Sequence, residues 1–343
     1  MQLTLLRLYG IVNQPLPLTN IKEGWLSLDD KELPTILIFE EELAKKILKS
    51  EMLPPIDLIS FFKEVNDLNS NHLPFLSNFF IKTPLLLMGE NHFRTKALLV
   101  PIYKHIEKDL SKWVDNFVAN FFDNKKTNKT IGPIVLAEAF VCSFFKEIIS
   151  REIGISHDEI PDLPDDVLNI SPKKTSLEMN ERKLANLITF LKNKLNEKGR
   201  DDDEAWVFST IALMGSQALR SAVIFALLKA PGDKVWDEEL LFSMASPISV
   251  IGRIAMDDIK MDNLYIKKGQ TFFISLSMMN EASHHQTEKL SQSFAFGSGP
   301  HKCPGRKISS IIMKALLDFW KVHHAEFLLD QVKFTRTVIL EAK

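Results

Sequence analysis

Two cysteines, Cys142 and Cys303, are all that the 343 residues carry. They lie far apart, which excludes a disulfide framework and fits a reducing compartment. Neither sign of charge is in excess: 42 Lys and Arg against 44 Asp and Glu leave a net charge of −2. That balance gives no electrostatic footing for nucleic acid or for an anionic membrane. No stretch reaches the roughly 18 uninterrupted apolar residues that a membrane span requires. The opening Met1 to Gly10 is broken by Gln2 and Arg7 and is too short for a secretory signal. A cytoplasmic protein with no membrane anchor is therefore expected, and the sequons at Asn128 and Asn169 are chance matches.

What the chain does have is one cysteine in a distinctive setting. The run Phe294-Ala295-Phe296-Gly297-Ser298-Gly299-Pro300-His301-Lys302-Cys303-Pro304-Gly305 places Cys303 in a Gly/Pro-rich loop. A helix is predicted next, over Lys307 to Phe319, with Ile308, Ile311, Ile312, Ala315 and Leu316 on one face. A thiolate at such a place sits near positive helix-end dipoles and backbone N–H groups, which favour its charged form. Glycines allow the chain to fold tightly around the sulfur with its amides pointing inward. Taken alone, the same residues also suit an ordinary turn followed by a helix, with a buried cysteine.

The spacing Phe296-x-x-Gly299-x-x-x-Cys303-x-Gly305 resembles the haem-binding loop of the cytochrome P450 family. The resemblance implies that Cys303 is the axial ligand of the iron of haem b, with Phe296 shielding the sulfur and Gly299 and Gly305 shaping the loop. It also places His301 against a haem propionate. Thiolate ligation pushes electron density onto iron and favours O–O cleavage. His92 and Lys96 share a helix face at i, i+4 and resemble the family's His-x-x-x-Arg propionate pair. Here lysine offers a point charge without the bidentate fork of arginine. Ser246 to Arg253 resembles the segment that lines the substrate pocket and brings an arginine to a propionate. Arg253 is that candidate, and Ile248, Ser249, Val250 and Ile251 are pocket wall.

Two places depart from the family's pattern. On the long apolar helix expected over Glu204 to Lys229, the family carries an acid and an alcohol that help deliver protons to iron-bound oxygen. This chain reads Met214-Gly215-Ser216-Gln217-Ala218. Gly215 is kept, Gln217 replaces the acid and Ala218 the alcohol, with Ser216 a possible substitute and Met214 facing substrate. Gln cannot ionise and Ala cannot pass a proton. The second departure is at Glu-x-x-Arg, where Glu239 is followed by Phe242, and the partner arginine before the cysteine loop is absent from 281–293. Loss of both halves avoids leaving one buried charge unpaired, and it reshapes the face that family members offer to electron-transfer partners.

The remaining periodicity predicts strands at Gly24 to Leu28 and Thr35 to Phe39 around Asp29-Asp30, and a hairpin over Ile259 to Thr271 continuing as Phe272 to Met278. Helices are predicted at Glu40 to Leu48, from an Asn91 cap to Tyr103, and over Asp109 to Phe122, Gly132 to Ile149 and Leu177 to Leu195. Cys142 reads as a small core residue, Asp201 to Glu204 as a helix-start cap, and Phe327 to Leu340 as a terminal hairpin. Phe61, Phe62, Phe75, Phe79 and Phe80 are candidate pocket wall in an irregular stretch, although such aromatics are more often core. The sequence is thus identified as one domain, 1–343, mainly α with a small β-rich side region and a cytochrome P450-like fold. The implied activity is oxidation of a small, mostly apolar molecule, by hydroxylation, epoxidation or a related reaction, with a ferredoxin and reductase or with peroxide. Alternatives are a non-redox haem rearrangement or dehydration, or a non-catalytic haem-binding sensor or interaction protein.

Overall fold

The computed structural model describes residues 24–28, 32–56, 73–84, 87–125, 132–164, 174–230, 236–280, 294–327, 329, 334–336 and 340–342. The N-terminal stretch, the Asp29-Asp30 turn, Phe61, Phe62, both sequons and 281–293 lie outside them.

A four-stranded sheet is built from β1 (Trp25–Ser27), β2 (Ile36–Ile38), β3 (Val250–Ile254) and β6 (Thr271–Ser275), in the order β1-β2-β6-β3. The pairing of β2 with β6 is parallel and the others are antiparallel. Between β3 and β6 the hairpin of β4 (Ile259–Met261) and β5 (Leu264–Ile266) turns at Asp262, whose φ is 50°. A last pair, β7 (Phe334–Arg336) with β8 (Leu340–Ala342), begins later than the terminal hairpin predicted over Phe327 to Leu340 and runs past its end. One edge of the sheet region is covered by α1 (Glu41–Lys49), whose Leu43, Ala44, Ile47 and Leu48 are buried. Glu40 caps it by accepting from the amides of Glu42 and Leu43.

The helical body holds α2 (Pro74–Lys82), α3 (Gly89–Leu110), α4 (Val114–Asp123), α5 (Pro133–Ile153), α6 (Lys174–Asn196), α7 (Asp203–Lys229), α8 (Glu238–Ala245) and α9 (Arg306–His323). At its centre runs α7, apolar on every side because α5, α6, α8 and α9 pack around it. Among the described residues it alone is long and apolar enough to cross a membrane, and most of it is buried in this core. Its acidic start is closed by pairing: Asp202 with Lys192 at 2.9 Å, Asp203 with Lys82 at 2.7 Å, and Glu204 with Arg200. Cys142 on α5 is half-buried beside the main core.

Several boundaries differ from the sequence reading. The helix predicted over Asp109 to Phe122 is divided between α3, which ends at Leu110, and α4, which starts at Val114, and the strand predicted to run to Met278 ends at Ser275, after which 276–280 are helical. The irregular stretch contains α2, and its Phe79 and Phe80 are buried in the helical core with Phe75 packed against it, so none of the three is pocket wall. Leu73, at the N-cap, has no side chain able to satisfy the first amides of α2. Glu181 of α6 does so from outside, accepting from Phe75 N at 2.7 Å and Leu76 N at 2.8 Å. In α3 the cap position is Met88 rather than Asn91, and the helix carries Pro101 inside it to reach Leu110. Its packing against α9 and α7 holds together what the proline alone would end. The helix α5 likewise continues past Ile149 to Ile153 and stops at Gly154, whose φ of 68° suits glycine.

Removing the external cap of α2 leaves buried amides unsatisfied, so Glu181→Ala is expected to cost about 1–3 kcal/mol. Urea unfolding monitored by circular dichroism measures this, and Glu181→Gln, which retains an acceptor, is expected to lose less.

Candidate functional site

The loop that carries Cys303 leaves the sheet region through a 3₁₀ turn at Phe294–Phe296, takes a second at Gly299–His301, and enters α9 at Arg306. Its backbone bonds tie it to itself: Cys303 N donates to Phe296 O at 2.9 Å and Lys302 N to Gly299 O at 3.1 Å. Gly299 has a φ of 73°, and a Cβ there would meet the Leu48 carbonyl oxygen at 2.5 Å. Only glycine allows α1 to approach the loop that closely. Cys303 is exposed to the cavity it lines; desolvation by the surrounding protein atoms still pushes its thiol pKa up, while the amides of Gly305 and Arg306 at the start of α9 bond to it and pull the other way.

Cys303 opens onto a cavity walled by α3, α7, β3 and the loop itself. Its chemistry is one-sided. His92, Lys96, Arg253, His301 and Lys302 line it, and no Asp or Glu does among the described residues. Arg253, on β3, is 2% exposed; its guanidinium donates to the Gly252 carbonyl at 2.8 Å and pairs with no carboxylate among the described residues. Burial lowers its pKa to about 10. The His301 ring lies 4.5 Å from that of His92 and bonds to the Pro84 carbonyl, leaving a buried Nδ1 without a partner among the described residues. Burial, then Arg253 and His92, bring its pKa down to about 4, and burial followed by Lys96 lowers that of His92. Lys96 Nζ donates to the Pro300 carbonyl at 2.8 Å, pinning α3 to the loop.

The rest of the wall is mostly apolar. From α7 it receives Thr210, Ile211, Met214, Gly215, Ala218 and Leu219, one face of the helix. From the segment after α8 come Ile248, Val250 and Ile251. The structure separates the predicted residues here. Gly215 and Ala218 face the cavity, whereas Ser216 donates to Leu213 O at 3.1 Å and Gln217 is buried on another side of α7. Ser249 is fully buried away from the cavity. The 3.6-residue period cannot bring four consecutive residues to one face.

Glu239 also has a different outcome from that expected. Its partner comes after the cysteine: Arg306 reaches it at 3.3 Å. Phe242 packs edge-on against Phe296, with ring centroids 4.8 Å apart.

Tyr103 and Thr210 are among the lining residues that escaped the sequence reading although helical period could have found them. Tyr103 lies three turns beyond His92 on α3, and its ring is 3.1 Å from where a Cβ on Gly305 would be. Burial, then the neighbouring Cys303, raise its pKa. Thr210 lies one turn before Met214.

No family model and no curated protein matches the sequence. Solved structures do match. P450BioI, crystallised in complex with acyl carrier protein ligated to hexadec-9Z-enoic acid, superposes with a TM-score of 0.71 at 13% identity, covering 99% of this chain and 97% of that one. The chain has the cytochrome P450 fold. The cytochrome P450 PksS of the Bacillus subtilis 168 bacillaene polyketide synthase gives a TM-score of 0.69 at 13% identity, over 97% and 95% of the two chains. OxyE, a cytochrome P450 involved in teicoplanin biosynthesis, gives 0.67 at 16% identity, over 99% and 98%. The cytochrome P450 fold places Cys303, Arg253, His92 and Lys96 around one cavity from three segments of the chain.

Within that fold Gly215 has a specific neighbour. A Cβ on it would lie 2.4 Å from Phe145 Cζ. Alanine gains about 0.5–1 kcal/mol in a helix, but overpacking costs typically 1–3 kcal/mol. Gly215→Ala is therefore expected to be destabilising by about 1 kcal/mol. The same substitution in a Phe145→Leu background, where the clashing ring atoms are gone, is expected to stabilise, a reversal of sign that thermal unfolding of the four chains measures.

Proposed function

We propose that this protein is a haem-thiolate oxidoreductase acting on a small, mostly apolar organic molecule. The observation that carries the reading is that one cavity is lined both by a buried guanidinium, Arg253, with no carboxylate partner among the described residues, and by the thiol of Cys303. No group of three or more His, Cys, Asp or Glu able to hold a metal exists among the described residues. A metal bound by Cys303 must bring its other ligands with it, as a macrocycle does. A macrocycle bearing two carboxylates also answers a cavity whose described lining is basic and free of acids. The residues present thus fit haem: Cys303 as axial ligand, with Arg253, His301, His92 and Lys96 for the propionates.

When bound, such a haem supplies oxidising chemistry at an iron made electron-rich by sulfur. The chain's own contribution is positional. Gly305 and Arg306 amides stabilise the thiolate, and the guanidinium of Arg253 gains the counter-charge that its burial demands. Met214, Ala218, Ile248, Val250 and Ile251 exclude water and orient an apolar substrate by shape. Gly215 keeps α7 close to this space.

A second reading is favoured by the α7 wall. Its cavity face carries one hydroxyl, on Thr210, and no acid. Thr210 Oγ1 can hold and pass a proton but has no ionisable partner beside it on that face. This supports a co-substrate that brings its own protons, such as peroxide, or a rearrangement or dehydration, over a ferredoxin-fed monooxygenase.

The reduced, CO-treated protein is expected to show the red-shifted Soret band of thiolate ligation, and Cys303→Ala to lose it. Arg253→Ala is expected to weaken haem binding by about 1.5–3 kcal/mol, the range for hydrogen bonds to charged groups, measured by spectral titration. Product formation with peroxide, with NADPH and generic redox partners, and with neither separates the activities. Absence of haem uptake by the parent chain removes the reading.

A further inference from the structure

Helix α8 reaches both limbs of the cysteine loop. Glu239 and Phe242 stand three residues apart on it and so share a face. Phe242 meets Phe296, seven residues before Cys303, while Glu239 meets Arg306, three residues after it. The guanidinium of Arg306 lies 5.7 Å over the Phe296 ring, closing a circuit of four side chains around the base of the loop. From Phe296 the link to sulfur is direct, because its carbonyl accepts the Cys303 amide at 2.9 Å. Arg306 in turn supplies one of the two amides that bond to the thiol.

The end of α8 adds a third attachment. Ser246, its C-cap in a left-handed conformation with φ of 41°, accepts from Asn280 Nδ2 at 2.7 Å, and Asn280 Oδ1 accepts from Phe294 N at 3.0 Å. The three attachments are not equal in strength. Glu239 and Arg306 are part-exposed, at 47% and 37% of their side-chain surface, and such pairs are weak. Phe242 is 3% exposed and its ring pair lies at the cavity wall. Desolvated aromatic packing carries more than a screened ion pair.

We propose that Phe242 is the positioning residue for Cys303, holding the loop through Phe296 so that the Gly305 and Arg306 amides stay aimed at the sulfur. The inference rests on Cys303 as the iron ligand, but its first test needs no haem. An apolar latch in place of a buried ion pair makes the loop's position insensitive to salt, with the Glu239–Arg306 pair supplementing it.

The test uses the full chain in a Cys142→Ala background, so that Cys303 is the single thiol, and follows its rate of reaction with a disulfide reagent. Phe242→Leu and Phe296→Leu are each expected to raise that rate several-fold, and the double variant to add nothing beyond either. Phe273→Leu, a truncation elsewhere on the same cavity wall, is expected to leave it near the parent's. Thermal unfolding confirms which variants fold. In haem-loaded protein with Cys142 intact, Phe242→Leu is expected to shift the CO complex toward the form with protonated thiol, and Glu239→Gln to shift it far less. The proposal is overturned if Phe242→Leu labels like the parent, if Phe273→Leu has the same effect, or if Phe242 and Phe296 act additively. Labelling rates that change as expected in Phe242→Leu and Phe296→Leu, in a parent chain that gives no thiolate spectrum, defeat the haem reading and leave the latch standing.

Discussion

A guanidinium removed from water with no counter-charge among the described residues is the constraint around which this structure turns. Arg253 is 2% exposed and its pKa is lowered by burial alone to about 10, roughly 3 kcal/mol against its charged form. A protein gains nothing from such a group on its own, since burying an unpaired charge is among the most costly things a fold does. Its surroundings make matters worse, with Lys96, His92 and His301 on the same cavity and no acid among the described lining residues. Burial and the neighbouring cations bring both imidazoles below their usual pKa. The cavity is an arrangement that becomes satisfied when an anion enters it.

The same cavity is also lined by the thiol of Cys303. Segments distant in sequence meet here only because the sheet carries β3 and Arg253 to one wall while α3, α7 and the loop before α9 supply the others. The fold therefore explains the site: the parallel pairing of β2 with β6 and the antiparallel pairing of β6 with β3 fix where Arg253 sits, and α1 against Gly299 fixes the loop. Through the attachments of α8 the same scaffold reaches the sulfur from both sides.

Much of this was legible in the sequence because the informative residues lie in local patterns. The cysteine loop, the i, i+4 pair of His92 and Lys96, and the strand bearing Arg253 are each short, and each is found at the cavity. What failed was long-range or depended on side-chain direction. Phe75, Phe79 and Phe80 belong to a helix whose first amides are capped by Glu181, about a hundred positions away. A search before the cysteine could not find the partner of Glu239, because Arg306 lies after it. Reading Gly215 to Ala218 as a block ignored the helical period, which sends Ser216 and Gln217 to other faces; the same period applied from His92 and Met214 points to Tyr103 and Thr210.

The central claim is that sulfur from Cys303 binds an iron carried by a dianionic macrocycle. X-ray absorption at the iron edge of the haem-loaded protein tests it most directly. The account predicts one sulfur in the iron's first coordination shell, absent in Cys303→Ala. A first shell of nitrogen and oxygen alone in the parent protein, with haem bound, would contradict it.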